Sequence, residues 1–218
     1  MKFLIITKKI WEKKNFSKLD KKIILHKSIS TRKINIIKPN IIFFIHWSKK
    51  IPKNIFNRFT CIQFHCSDLP KFRGGSPIQN QILKGVKNTK ISAFKVNSKI
   101  DAGDICLKKN FVLNGSANEI YVRMEKLAII MINTIINKKK LIFTKQSGKI
   151  TYYKRRKPED SNLRFVKKNN LKNVYDFIRM LDAKGYPEAF MKLNKFKIVF
   201  KNAEYKKKEI KGEFKIVR

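Results

Sequence analysis

The sequence predicts an α/β protein, a mostly parallel sheet covered by helices, followed by a small α+β tail. Three observations predict it. Ile41-Ile42-Phe43-Phe44-Ile45 is apolar without alternation, the pattern of a strand buried on both faces in a parallel sheet. Residues 61–83 read as a strand, a polar loop and a helix start. Beyond about residue 143 the chain turns polar and turn-rich, with Gly148, Arg155-Arg156, Pro158 and Ser161, before apolar patterning resumes. The expected division is 1–143 for the main domain, 144–168 for a linker and 169–218 for a C-terminal domain. That tail is too small to hold a core alone, so it is expected to pack back on the first domain.

The elements follow in order. Phe3 to Thr7 is a short apolar strand bounded by lysine. No glycine follows it in Lys8-Lys9-Ile10-Trp11-Glu12, which argues against a pyrophosphate-cradling turn of the dinucleotide type. Lys22 to His26 is a second strand, with His26 as an edge histidine. Ser30 to Lys38 is a helix stopped by Pro39. Asn40 to His46 is the apolar strand, and Pro52 to Phe59 a short helix. Cys61 to Phe64 is a strand leading into His65; Ser76 is placed as N-cap and Pro77 as first residue of the next helix. Lys90 to Val96 alternates and reads as the next strand. Ser116 and Glu119 form a capping box, and Ile120, Met124, Leu127, Met131 and Ile135 make one buried stripe of a long helix. Lys138-Lys139-Lys140 suits its C-terminus. A helix from about Leu171 to Leu181 and strands at Phe196–Phe200 and Ile210–Val217 complete the chain.

Composition bounds the function. The formal charge is +37, from 52 Lys+Arg against 15 Asp+Glu. Such an excess attracts polyanions, so a nucleic-acid-binding module is the competing class. Yet only nine of the 52 are arginine, and the lysines spread along the whole chain together with Ile, Asn and Phe, as an AT-rich coding sequence would produce. Cys61, Cys66 and Cys106 have no metal-like spacing and imply reduced thiols in a cytoplasmic protein. Cys66 and His65 are adjacent on a strand and point to opposite faces, which argues against a nucleophilic pair. The apolar runs fall well short of the roughly 20 residues a membrane-spanning helix needs, so no span is expected. The three histidines have no mutual ligand spacing, and no metal is expected.

The chemistry gathers in two loops. Phe64 to Pro77 offers His65 at a strand end, then Asp68-Leu69-Pro70, Arg73, Gly74-Gly75 and Ser76. Ligands of open α/β sheets bind outside the carboxyl ends of strands, where this loop would lie. Ile100-Asp101-Ala102-Gly103-Asp104 follows the Lys90–Val96 strand and sets a carboxylate about 35 residues beyond His65, a span typical of one βαβ unit. The two loops are expected to face each other across one edge of the sheet.

In these residues the chain resembles the folate-dependent formyltransferases. The family pattern is Asn-x-His, a Ser-x-Leu-Pro loop, Arg-Gly, a Pro-Ile-Gln helix start and a later Leu-Asp-x-Gly-Asp. Here they are Gln63-Phe64-His65, Ser67-Asp68-Leu69-Pro70, Arg73-Gly74, Pro77-Ile78-Gln79 and Ile100-Asp101-Ala102-Gly103-Asp104. The likeness is specific from about residue 40 to 112, and continues more weakly through Arg155–Asp160 and Tyr186-Pro187-Glu188-Ala189-Phe190. The departure is Gln63, where the family has asparagine.

The resemblance implies a Rossmann-like catalytic domain and transfer of a formyl group from 10-formyltetrahydrofolate to a primary amine. The amine must lose a proton, the formyl oxygen takes on negative charge, and the folate nitrogen must be protonated to leave. It implies His65 as base or oxyanion donor, Asp101 as the carboxylate that orients it, and Gln63 as amide donor to the oxyanion. The folate would lie against Ile45, His46 and Trp47, Asp68, Leu69 and Pro70, and Ala102, Gly103 and Asp104; Trp47 simply covering the sheet is the alternative. Arg73, Gly74, Gly75 and Ser76 would meet the anionic acceptor, unless Arg73 is a structural ion pair. Two acceptors are open, a nucleotide-linked amino sugar and initiator methionyl-tRNA. The short stretch before His65, the Gly74-Gly75 pair after Arg73 and the compact tail favour the amino sugar. A non-catalytic relative that binds folate or nucleic acid is the third reading. Oligomeric state is left open.

Overall fold

The structure, a computed structural model, describes residues 1–19, 23–167 and 170–218. Lys22 and the expected boundary between 168 and 169 lie outside the described residues. The first strand is β1 (Phe3–Thr7), joined through α1 (Lys13–Phe16) to β2 (Ile23–His26). Then come α2 (Thr31–Ile37), β3 (Ile41–Ile45), α3 (Lys53–Phe56) and β4 (Thr60–His65). The motif loop holds β5 (Arg73–Gly74) and runs into α4 (Pro77–Leu83), β6 (Asn88–Lys95) and β7 (Ile105–Val112). The long helix is α5 (Ala117–Ile136); after it come β8 (Tyr152–Tyr153), α6 (Leu171–Arg179), β9 (Ala189–Leu193), β10 (Phe196–Lys206) and β11 (Glu209–Val217).

The main sheet has the order β2-β1-β3-β4-β6-β7. Four strands run parallel, β1 beside β2 and β3, and β3 beside β4. All of β1 and β3 is buried, as the unbroken apolar runs predict. Successive side chains fall on opposite faces. Phe43, Ile45, Ile62 and Phe64 pack with α5 and α6, whereas Ile42, Phe44 and Cys61 pack with Ile34 of α2 and Ile55 of α3. A separate antiparallel sheet, β11-β10-β9, forms the tail. The sequence pattern missed β9 and shortened β10.

The βαβ expectation for the second motif is corrected. β6 pairs antiparallel with β4, with Ile62 opposite Lys95 and His65 opposite Ser92. Its end therefore lies beside Ile62, not at the edge where β4 ends. The loop carrying Asp101 folds back along the sheet to reach His65. Gly103 marks how closely it passes: a Cβ there would lie 1.6 Å from the Lys95 carbonyl oxygen.

The capping box of α5 is present, Ser116 Oγ accepting from the Glu119 N–H while Glu119 accepts from the Ser116 N–H. On the helix's buried face lies Glu125, fully buried. Its carboxylate accepts from the Trp11 N–H at 3.0 Å, the Glu12 N–H at 2.9 Å and Asn15 Nδ2 at 3.0 Å. This ties the glycine-free loop after β1 to α5. Trp11 thereby stacks on Tyr121 at 4.6 Å, and Tyr121 on Tyr186 at 5.0 Å.

Candidate active site

His65 closes β4 and is 6% exposed. The strand's alternation puts Gln63 and His65 on one face and Ile62, Phe64 and Cys66 on the other, in the main core. Burial pushes the Cys66 and Cys61 thiols up to about 12, so neither offers a thiolate. His65 Nε2 lies 2.7 Å from the Phe72 carbonyl oxygen, a contact that an Nε2–H donor makes. Nδ1 lies 3.5 Å from Asp101 Oδ2. Both ring nitrogens therefore face acceptor atoms.

Asp101 is 8% exposed and holds a left-handed backbone, φ 49°. Its Oδ2 also accepts from the Gly74 N–H at 2.8 Å. The imidazole, the carboxylate and the motif loop thus form one buried chain, linking the two sequence motifs as expected. Gln63 is half-buried beside them, and its Nε2 donates to the Trp47 carbonyl at 3.3 Å. The long contact lies at the weak edge of hydrogen bonding.

The expected acceptor-binding residues are committed internally. Arg73 is 7% exposed; its Nε and Nη2 donate to Gln146 Oε1 at 3.1 and 2.6 Å, and Nη1 to the Tyr152 hydroxyl at 3.3 Å. It is neither a free anion-binding group nor half of an ion pair with a carboxylate. The Gly74 N–H goes to Asp101, and the Gly75 N–H to the Tyr153 carbonyl at 2.8 Å. The two glycines let strand β8 and its continuation pass: a Cβ on Gly75 would lie 2.3 Å from Arg155 Cα. Ser76 does not cap α4. Its backbone is left-handed, and its hydroxyl accepts from the Arg156 N–H at 3.1 Å.

The residues expected around the folate divide. Ile45 is fully buried in the main core, and Trp47 in the opposite one, so Trp47 covers the sheet. The His46 ring packs edge-on against Tyr121 at 5.7 Å, its Nε2 buried without a partner. Burial, and secondarily the Lys9 ammonium, push His46 down to about 3, so its ring is neutral. Trp47 Nε1 is likewise buried and unpaired. Asp68 bonds Lys108 Nζ at 2.6 Å and Lys90 Nζ at 3.2 Å. Partial burial works to raise its pKa, but the two lysines outweigh it and hold the carboxyl below its usual range. Leu69 and Pro70 are buried in the turn, while Ala102 and Asp104 are partly open beside Asp101.

Sequence reasoning missed Gln146 and Thr151, read as linker. The Thr151 hydroxyl accepts from the Phe72 N–H at 2.8 Å, and its carbonyl from the Arg73 N–H at 2.9 Å. β8 pairs in parallel with β5. A polar stretch without periodicity gives no sign of such a role. Among the described residues, no cluster of His, Cys, Asp or Glu could hold a metal ion.

Comparison with known proteins supplies the rest. The Formyl transferase family model matches residues 5–135, and the model for the methionyl-tRNA formyltransferase C-terminal domain matches 158–217. A solved methionyl-tRNA formyltransferase from Clostridium thermocellum is 41% identical, with a TM-score of 0.93, covering 100% of this chain and 99% of that one. A curated methionyl-tRNA formyltransferase from Thermodesulfovibrio yellowstonii is 28% identical over 77% of this chain and 56% of its own length. The chain spans about half the length of the curated relatives it matches. A sugar N-formyltransferase from a Shewanella species is 15% identical, with a TM-score of 0.66 over 89% of this chain and 93% of that one, a likeness of fold alone.

These findings overturn the amino-sugar expectation. It rested on a short stretch before His65, the Gly74-Gly75 pair after Arg73 and a compact tail. The Clostridium protein is matched over 99% of its own length, so those features do not separate the two branches. The C-terminal match points the same way. With the histidine, the carboxylate and both motif loops joined as the sequence pattern requires, and the family model spanning residues 5–135, the chain belongs to the formyl transferase family.

Proposed function

We propose that the chain transfers a formyl group from 10-formyltetrahydrofolate to the amino group of methionyl-tRNA. The observation that carries the reading is the buried His65–Asp101 pair at the carboxyl end of β4, in a chain 41% identical over its whole length to a methionyl-tRNA formyltransferase. The formyl donor supplies the electrophilic carbon. The residues present suit the uncharged heterocycle of the donor: a buried imidazole–carboxylate pair and a half-buried carboxamide.

His65 is the proton-handling group. Its Nε2 contact with Phe72 fixes the ring, and Asp101 stabilises the proton on Nδ1. Once it leaves the Phe72 carbonyl, Nε2 is the ring nitrogen that passes a proton to the formyl oxygen or the leaving nitrogen and takes up the one the attacking amine loses. Gln63 adds an amide donor once it leaves the Trp47 carbonyl, an interaction worth roughly 3 kcal/mol for a well-placed donor. The excess of basic residues, +37 overall, suits a polyanionic acceptor. Three free cysteines fit a reducing compartment, the cytoplasm.

Variant kinetics test the reading. His65→Ala and Asp101→Asn should each lower turnover by at least about a hundredfold, as positioned acid–base groups do, with unchanged thermal unfolding. Full activity in either variant removes the pair from the chemistry.

A further inference from the structure

We propose that Gln146 is the positioning residue of this site, the side chain that aims Asp101 at His65; the proposal rests on the formyl-transfer reading above. The problem it answers is geometric. β6 ends beside Ile62, and the loop that follows must return to His65 with Asp101 in a left-handed conformation. A non-glycine residue stays there only when its surroundings hold it.

What holds it is one amide. Gln146 Nε2 donates to the Asp101 carbonyl at 2.9 Å and to the Gly103 carbonyl at 2.8 Å. Its Oε1 accepts from both Arg73 Nε and Nη2. A glutamine amide has two N–H donors and two acceptor lone pairs, and all four are used. The orientation is fixed as well: turned over, the amide would set its N–H groups against a guanidinium and its oxygen against two carbonyls. Residue 144 pairs with Ile105 in both directions, at 2.8 and 2.9 Å, which keeps this segment alongside the loop. Gln146 therefore clamps the loop of Asp101 to the loop of Arg73. The contact it protects is the 3.5 Å approach of Asp101 to His65, with the 2.8 Å bond from the Gly74 N–H. A displacement of about 1 Å at such a site costs on the order of a hundredfold in rate.

Two substitutions separate this role from a simple anchor for Arg73. Gln146→Ala removes the whole clamp. Gln146→Glu keeps an acceptor for the guanidinium but sets a carboxylate against the two carbonyls. The proposal expects both to lower kcat by about ten- to a hundredfold, with KM for donor and acceptor within about threefold of wild type. Wild-type kcat in Gln146→Glu would mean that Gln146 only anchors Arg73, and would overturn it. In an Asp101→Asn background, Gln146→Ala should add no more than about a twofold loss, because the two act through one contact; a multiplied loss would overturn it too. Hydrogen exchange of the Gly74 amide reads the same geometry without turnover. It should quicken by about tenfold or more in both Gln146 variants, and an unchanged rate contradicts the clamp. A wild type that transfers no formyl group ends the enzymatic reading, and the Gly74 exchange still decides whether Gln146 positions Asp101.

Discussion

Gln63 stands where the formyltransferase pattern has asparagine, its amide one methylene further from the backbone. The amide donates to the Trp47 carbonyl at 3.3 Å. Because that bond is weak, exchanging it for a bond to the formyl oxygen costs little. Gln63→Leu should therefore lower kcat by roughly tenfold or more, through lost transition-state stabilisation, with little change in donor affinity. A Leu variant at the wild-type rate would leave the oxyanion to His65 alone. His46 supports a second prediction. Folded, its ring stays neutral down to about 3, whereas unfolded it titrates near 6.5. Above that range neither state is protonated. Between about 6.5 and 3 the unfolded chain binds a proton that the folded chain refuses, so stability falls as pH falls, by at most about 5 kcal/mol. Urea melts should show a shallower acid loss for His46→Phe than for wild type over that window. Equal slopes would contradict the buried neutral ring. The meeting of the His65 and Asp101 loops was legible because both carry the residue types and order of the formyltransferase pattern. Gln146 was not, because its bonds cross 43 and 45 positions and leave no periodic trace.

The elements themselves repeat the division between what a local pattern carries and what it does not. β1, β3 and α5 were legible because burial on two faces or along one stripe writes itself into the apolar pattern. The direction of β6 was not, since an alternating strand reads the same in either orientation, and only its partner decides. The loop after β1 was legible in what it lacks, glycine, and illegible in what anchors it. That anchor is Glu125, a buried carboxylate satisfied by three N–H donors and not by a cation. Removing it strands those donors, at a cost of about 1–3 kcal/mol for each group left dry. Glu125→Leu should therefore destabilise the protein by about 3 kcal/mol or more in equilibrium urea unfolding, and Glu125→Gln by less, since it retains one acceptor oxygen. A Leu variant as stable as wild type would show that the loop is held by the Trp11–Tyr121–Tyr186 stack alone.

At the scale of the whole molecule, a basic chain holds a buried His65–Asp101 pair where β4, an interior strand of a mixed sheet, ends, with a separate antiparallel sheet appended. Among the described residues no helix is long and apolar enough to cross a membrane. A charge of +37 suits polyanions without selecting among them, and the proposed formyl transfer at His65 needs a free amine and a formyl donor. The direct measurement is incubation of the purified chain with 10-formyltetrahydrofolate and charged methionyl-tRNA, followed by mass detection of the methionine released from the tRNA. The account predicts N-formylmethionine from wild type, none without the folate, and a yield at least about a hundredfold lower from His65→Ala. Unformylated methionine from wild type, or equal yields from wild type and His65→Ala, would contradict it.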